Sequence, residues 1–326
     1  MVIVPREDYP RSLGEFEERF TSEAACRAYL RQLRWPEGFR CPACGAQRAW
    51  ATGRGDLMEC GSCRRQTSVT AGTVFERTRK PLRQWFRAMW WVTSQRPGVS
   101  AMGLQRVLGL GSYETAWLWL HKLRRAMVRP GRERLSGRVE VDETYVGGGE
   151  TERGGGGRGP GVKNKSLVAV AAEEDGKGIG RIRMGRIRDA SAANLKGFIR
   201  ASVEPGAVIH TDGWRGYARV ETLGYVHKVT LIKSTGQPAD QAMPRVHRVA
   251  SLLKRWLLGT HQGAVSHEQL DYYLDEFTFR FNRRKSRSPG KLFYRLVQQA
   301  AAIQPAPYDR VVGGSDGARP QHLGAT

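Results

Sequence analysis

The chain has 326 residues, 40% of them hydrophobic, and its 53 Lys and Arg outnumber 31 Asp and Glu for a formal charge of +22. That apolar content excludes a wholly disordered chain, and the length allows two or three domains of about 100–200 residues each. The charge favours polyanions as partners, nucleic acid before an acidic membrane, and excludes cationic ones. No apolar run approaches the roughly 18–20 residues of a bilayer span, and Met1 to Arg19 lacks the apolar core of a secretory signal, so the expected setting is cytoplasmic and reducing.

In chain order, Thr21 to Leu33 has helical apolar spacing, with Cys26 as a buried thiol. After a turn at Trp35-Pro36 come Cys41-Pro-Ala-Cys44-Gly and, later, Cys60-Gly-Ser-Cys63. Two CxxC turns supply four thiolates, which suits a tetrahedral Zn²⁺ with Zn–S of about 2.3 Å. A redox CxxC comes singly and opens a helix, so a structural zinc ribbon is the reading here, within a first domain at 20–76.

Residues 78–130 are predicted to be helical. Leu82, Trp85, Phe86, Met89 and Trp90 mark a first helix, Ser100 to Leu108 a second, and Tyr113 to Met127 a third. Gly109-Leu-Gly111 is the turn and Ser112 the N-cap of the third helix. This is a helix-turn-helix layout, and Arg124 and Arg125 on its last helix are candidates for contact with DNA, although other three-helix packings share the pattern.

Past Pro130 the period shortens to two, and strands are expected at Arg138–Val146, Ser166–Ala172, Gly178–Arg188, Ala207–His210 and Val226–Ile232. Gly147 to Gly161 reads as a flexible loop without the Gly-Lys-Ser/Thr of a nucleotide site. Helices are expected at Ser191–Ser202, near Tyr217–Leu223, at Pro244–Leu258 and at His267–Asn282, the last opened by a Ser266/Gln269 capping box. The order fits an α/β mixed sheet flanked by helices over 136–300, with a mobile tail at 303–326. The basic cluster Arg280, Arg283, Arg284, Lys285 and Arg287, together with Lys254 and Arg255, is a candidate phosphate-binding surface.

Asp142 interrupts an apolar alternation, where a carboxylate needs a partner or a cation. Asp212 ends another strand. The two can converge on a divalent cation, or Asp142 can pair with an arginine while Asp212 merely starts a turn before Gly213.

Several segments together resemble one family. They are the two CxxC pairs with Arg64-Arg-Gln-Thr-Ser-Val-Thr-Ala-Gly-Thr-Val-Phe75, Val141-Asp-Glu-Thr-Tyr-Val-Gly-Gly148, Thr211-Asp-Gly-Trp214 with Tyr217, and Tyr273-Leu-Asp-Glu-Phe277 through Phe279-Arg-Phe-Asn-Arg-Arg284. Over residues 20 to 290 the chain is similar to insertion-sequence transposases with a zinc ribbon and a DDE-type, ribonuclease-H-like core. The resemblance implies two-metal phosphoryl chemistry with Mg²⁺ or Mn²⁺, and Asp142 and Asp212 match the first two ligand positions. The third position, usually acidic, is His247, with Lys254 seven residues later on the same helical face. Imidazole suits Mg²⁺ less well than carboxylate does, so Glu143, His210 and Glu276 stand as other candidates. The implied partners are double-stranded DNA (terminal inverted repeats and target) and further copies of the chain, with the protein nucleoid-associated when bound. The alternative is a non-catalytic DNA-binding regulator or a decayed transposase.

Overall fold

The computed structural model describes residues 7–53, 57–129, 131–147, 165–231, 239–263 and 265–313. Nearly all of the expected glycine-rich loop, and the tail beyond residue 313, lie outside them. The chain forms two compact units, residues 1–129 with 286–308 and residues 130–285 with 309–326.

The first unit opens with α1 (Leu13–Arg19) and α2 (Glu23–Arg34), whose N-caps Ser12 and Ser22 each accept a backbone N–H three residues on. Cys26, Tyr29 and Leu30 are the buried stripe of α2, at the three- and four-residue spacing that faces a core. Strands β1 (Ala49–Ala51), β2 (Leu57–Cys60) and β3 (Gln66–Ser68) form a small antiparallel sheet. Helices α3 (Leu82–Ser94), α4 (Ala101–Leu108) and α5 (Tyr113–Ala126) follow. Gly109 ends α4 at φ +60°, and Ser112 Oγ accepts Thr115 N–H at 3.1 Å to start α5. Trp85 and Trp119 stack at 3.8 Å and tie α3 to α5.

The second unit contains β4 (Arg138–Val146), β5 (Ser166–Asp175), β6 (Gly178–Ile187), α6 (Ala192–Ser202), β7 (Val208–Asp212) and β8 (Val226–Thr230), then α7 (Pro244–His261) and α8 (Leu270–Asn282). Its five strands are ordered β6-β5-β4-β7-β8. The first three are antiparallel, and β7 and β8 run parallel to β4. This is the ribonuclease-H-like sheet expected from the sequence. Alternation gives it two buried faces. Val139, Val141 and Ile209 pack with Leu195 and Ile199 of α6 on one side, whereas Val146, Val168 and Val170 pack with Val246, Val249 and Leu253 of α7 and Leu274 and Phe277 of α8 on the other.

Three expectations need correction. The span 136–300 does not end as one piece, because α9 (Pro289–Ala302) belongs to the first unit, where its Phe293 is wholly buried against Phe16, Phe20 and Phe86. Residues 303–313 are not a loose tail: Tyr308–Val312 is helical and Ala306 and Val311 are buried. Finally, Ser266 accepts Gln269 N–H only at 3.4 Å, on a turn, and α8 begins at Leu270.

Candidate metal centre and active site

The ribbon brings its four cysteines together. Cys41 Sγ is 3.6 Å from Cys63 Sγ and Cys44 Sγ 3.5 Å from Cys60 Sγ, with all four sulfurs within 4.8 Å of one another. Tetrahedral ligation with Zn–S of about 2.3 Å requires S···S of about 3.8 Å, so the donor set and its spacing fit zinc. The two turns are built alike. Gly45 N–H donates to Cys41 O at 2.9 Å and Arg64 N–H to Cys60 O at 3.0 Å. The residue after each second cysteine has positive φ, Gly45 at +74° and Arg64 at +60°. The turn amides of Cys44 and Ala43 lower the Cys41 thiol to about 6, and those of Cys63 and Ser62 lower the Cys60 thiol, whereas, against the Ala46 amide, the neighbouring sulfurs of Cys63 and Cys60 push Cys44 up to about 12.

In the second unit Asp142 projects from the middle of β4 on the α7 face, opposite Glu143. Strand β7 pairs in parallel with β4 from Arg138↔Val208 to Glu140↔His210, and Asp212 ends β7 two residues beyond that pairing. Among the described residues Asp142, Asp212 and His247 do not form a group whose ligand atoms all lie within 4.8 Å of one another. Asp212 Oδ1 accepts Trp214 N–H at 3.0 Å. From α7, His247 Nε2 reaches within 3.7 Å of Asp142 Oδ2. Two cis ligands of an octahedral Mg²⁺ with bonds of about 2.1 Å stand about 3 Å apart, so the pair fits one ion after a small closure. Lys254, two turns along α7, is exposed as a residue; the protein around its ammonium and the nearby Lys165 lower its pKa, while Asp142 opposes them.

The other third-ligand candidates are engaged elsewhere. Tyr217 OH donates to Glu143 Oε2 at 2.7 Å on the α6 face, and burial, then Glu143, holds the Tyr217 pKa well above its usual value. His210 Nε2 pairs with Thr230 Oγ1 at 2.8 Å. Glu276, wholly buried, holds Arg280 Nη2 at 2.7 Å.

Of the expected DNA-binding set, Arg280 makes that ion pair with a buried carboxylate. Arg124 is 2% exposed, on the inner stripe of α5 beside His121. Arg125 is half-buried and Arg255 exposed. Arg283 lies 4.1 Å over the Phe279 ring. Arg284 lies over Phe281 and donates to the carbonyls of Phe281, Gly180 and Ile179, tying the end of α8 to β6.

Sequence reasoning missed a cleft of about 710 Å³ whose lining includes Tyr145, Lys165, Arg188, Trp214 and Arg215. Arg215 directly follows the Asp-Gly-Trp motif, a signal that was in view; Lys165 and Arg188 carried none. It also missed Glu140, a second acid in the Val-Glu-Val-Asp strand, which is wholly buried.

Residues 21–66 match the family model described as transposase zinc-ribbon domain, and residues 134–282 match that of the ISXO2-like transposase domain. The chain is 29% identical over 298 residues to an uncharacterized protein in transposable element ISH50 of Halobacterium salinarum, covering 86% of this chain and 98% of that protein. A crystal structure of the catalytic core domain of BIV integrase aligns with 48% of this chain and 93% of its own, at 19% identity and a TM-score of 0.32.

Proposed function

For a chain that carries a transposase zinc-ribbon domain and an ISXO2-like transposase domain, we propose the activity of a metal-dependent DNA transposase. It binds the terminal repeats of its element, cleaves a strand there and joins the freed 3′-hydroxyl to target DNA. The observation that carries the catalytic part is the approach of His247 Nε2 to Asp142 Oδ2, 3.7 Å, with Asp212 at the end of the strand that pairs with β4.

Asp142, Asp212 and His247 are the proposed ligands of Mg²⁺ or Mn²⁺, and when bound such ions supply Lewis-acid stabilisation of charge developing on the phosphate. The two aspartates contribute the negative charge that draws a divalent ion into a protein of net charge +22. His247 contributes a lone pair only while its imidazole is neutral. Lys254, on the same face of α7, offers its ammonium to a phosphate of the bound strand. Lys165, Arg188 and Arg215 in the cleft continue that cationic track, with Trp214 as a stacking surface for a base. The zinc-bound ribbon and the α4–α5 pair are the proposed grip on the element end.

Cleavage of a labelled element-end duplex in each metal tests the reading. Asp142→Asn and Asp212→Asn should abolish cleavage and leave DNA binding intact. His247→Ala should do the same, and His247→Glu should retain activity with its preference moved from Mn²⁺ towards Mg²⁺. Wild-type rates from His247→Ala would remove the histidine from the metal site, and a wild-type protein that binds the duplex but never cuts it would leave a non-catalytic DNA-binding regulator.

A further inference from the structure

Glu140 lies two residues before Asp142 on β4 and shares its face of the sheet. It is wholly buried, where a carboxylate must be compensated. The compensation comes from α7. Glu140 Oε2 accepts the backbone N–H of Arg245 at 2.8 Å and of Val246 at 3.0 Å, and Oε1 accepts Arg245 Nη1 at 2.8 Å. Pro244 opens α7 without an N–H to offer, and the N-cap Met243 has no capping side chain, so a strand residue 105 positions earlier caps the helix. Arg245 is held in turn: Nε donates to Gly178 O at 3.1 Å, Nη2 to Gly176 O at 2.9 Å, and Nη1 lies 3.3 Å from Glu174 Oε1. A carboxylate that meets two first-turn amides and a guanidinium resists displacement along or around the helix axis.

The consequence is geometric. Asp142 stands about 7 Å along β4 from Glu140, and His247 about 3 Å along α7 from Arg245. Two pairs, Glu140 with the first turn of α7 and Asp142 with His247, therefore close a circuit through two rigid elements, and fixing one pair fixes the other. We infer that Glu140 is a positioning residue for the metal site: with Arg245 it sets where His247 stands relative to Asp142. This rests on the reading of Asp142 and His247 as ligands of one ion.

A different use of the same cluster fails on its contacts. One ligand atom each from Glu140, Glu174 and His210 lies within 4.8 Å of the others, as around a cation. The Arg245 guanidinium already supplies the positive charge there, within 2.8 Å of Glu140 and 3.3 Å of Glu174. With its other oxygen spent on two amides, Glu140 has no geometry left for a metal.

The test uses the full chain with its zinc, Mn²⁺ titration by calorimetry, and cleavage of a labelled element-end duplex. Glu140→Gln should lower kcat and Mn²⁺ affinity about 10- to 100-fold, the usual cost of losing a group that orients a ligand, with KM for the duplex unchanged. Made in a His247→Ala background, the same substitution should weaken Mn²⁺ by less than about twofold more, because two changes acting through one group do not add. An equal loss in both backgrounds would reduce Glu140 to general support of the sheet and overturn the inference, as would wild-type cleavage by Glu140→Gln. Should circular dichroism find Glu140→Gln unfolded, Arg245→Met decides, since it spares both backbone bonds; it must show a smaller loss that again disappears without His247, and an unchanged loss overturns the inference. A wild-type protein that neither binds Mn²⁺ nor cuts removes the reading beneath, and this inference with it.

Discussion

His210 is 7% exposed, and burial lowers its pKa below 6.5, with Glu140 opposing and Lys228 reinforcing the shift. The unfolded chain therefore takes up a proton near pH 6.5 that the folded sheet refuses, so stability is full above that pH and is lost as pH falls through and below it. Urea midpoints at pH 7.5 and 5.5 should show this decline, and His210→Gln, which keeps a partner for Thr230, should flatten it; an unchanged slope would assign the loss to other groups. At this scale the sequence was an uneven guide. Asp142 stood out because a charge breaks an apolar alternation. Arg124 misled because basic character says nothing about which way a side chain faces, although its place four residues after the buried Leu120 is the spacing of an inward stripe. Glu140 was invisible as a cap because its partner is 105 residues away.

Among elements, the ribbon has the least to hold it. Its core is Phe39, Cys41 and Cys60, with Trp35, Ala46, Ala49 and Met58 packed against them, so two of three central residues belong to the proposed zinc site. Chelating the zinc should release residues 35–68 to hydrogen exchange while the five-stranded sheet stays protected. Four thiols should then react with Ellman's reagent at pH 8, and the fifth, Cys26, only on denaturation, since burial raises its thiol to about 12. Four protected thiols after chelation, or exchange spreading into β4 and β5, would contradict this. The elements themselves were legible where local chemistry decides them: β4 from its period of two, α5 from Ser112, and the metal turns from cysteine spacing. The start of α8 was not, because Ser266 faces a turn, and no local pattern distinguishes a capping box that begins a helix from one that begins a turn.

For the molecule as a whole, the chain order conceals the partition. The first unit is assembled from residues 1–129 and 286–308, with Phe293 of α9 at centroid distances of 5.3 Å from Phe16 and 5.7 Å from Phe86. Phe293→Ala should cost about 3–5 kcal/mol in that unit, read as an earlier thermal transition, with the transition of the sheet unit unmoved. If both transitions shift together, the two units do not unfold separately. The sequence reading placed no helix at 289–302 and counted those residues with the sheet, because nothing in a local pattern says which core receives an apolar side.

This partition also sets an order of events during synthesis. Translation delivers the ribbon and the three following helices first, at about 5–20 residues per second, yet their aromatic core lacks Phe293 until nearly the whole chain has emerged. The sheet unit gains its five strands and both covering helices sooner, within residues 130–285, and only its final segment from Asp309 follows α9. A nascent chain therefore has the strands and helices of the proposed metal site before the unit proposed to grip DNA is complete, and a ribosome that stalls or shifts frame between residues 285 and 308 releases a product whose first unit is unfinished. Only a chain read through α9 completes the first unit.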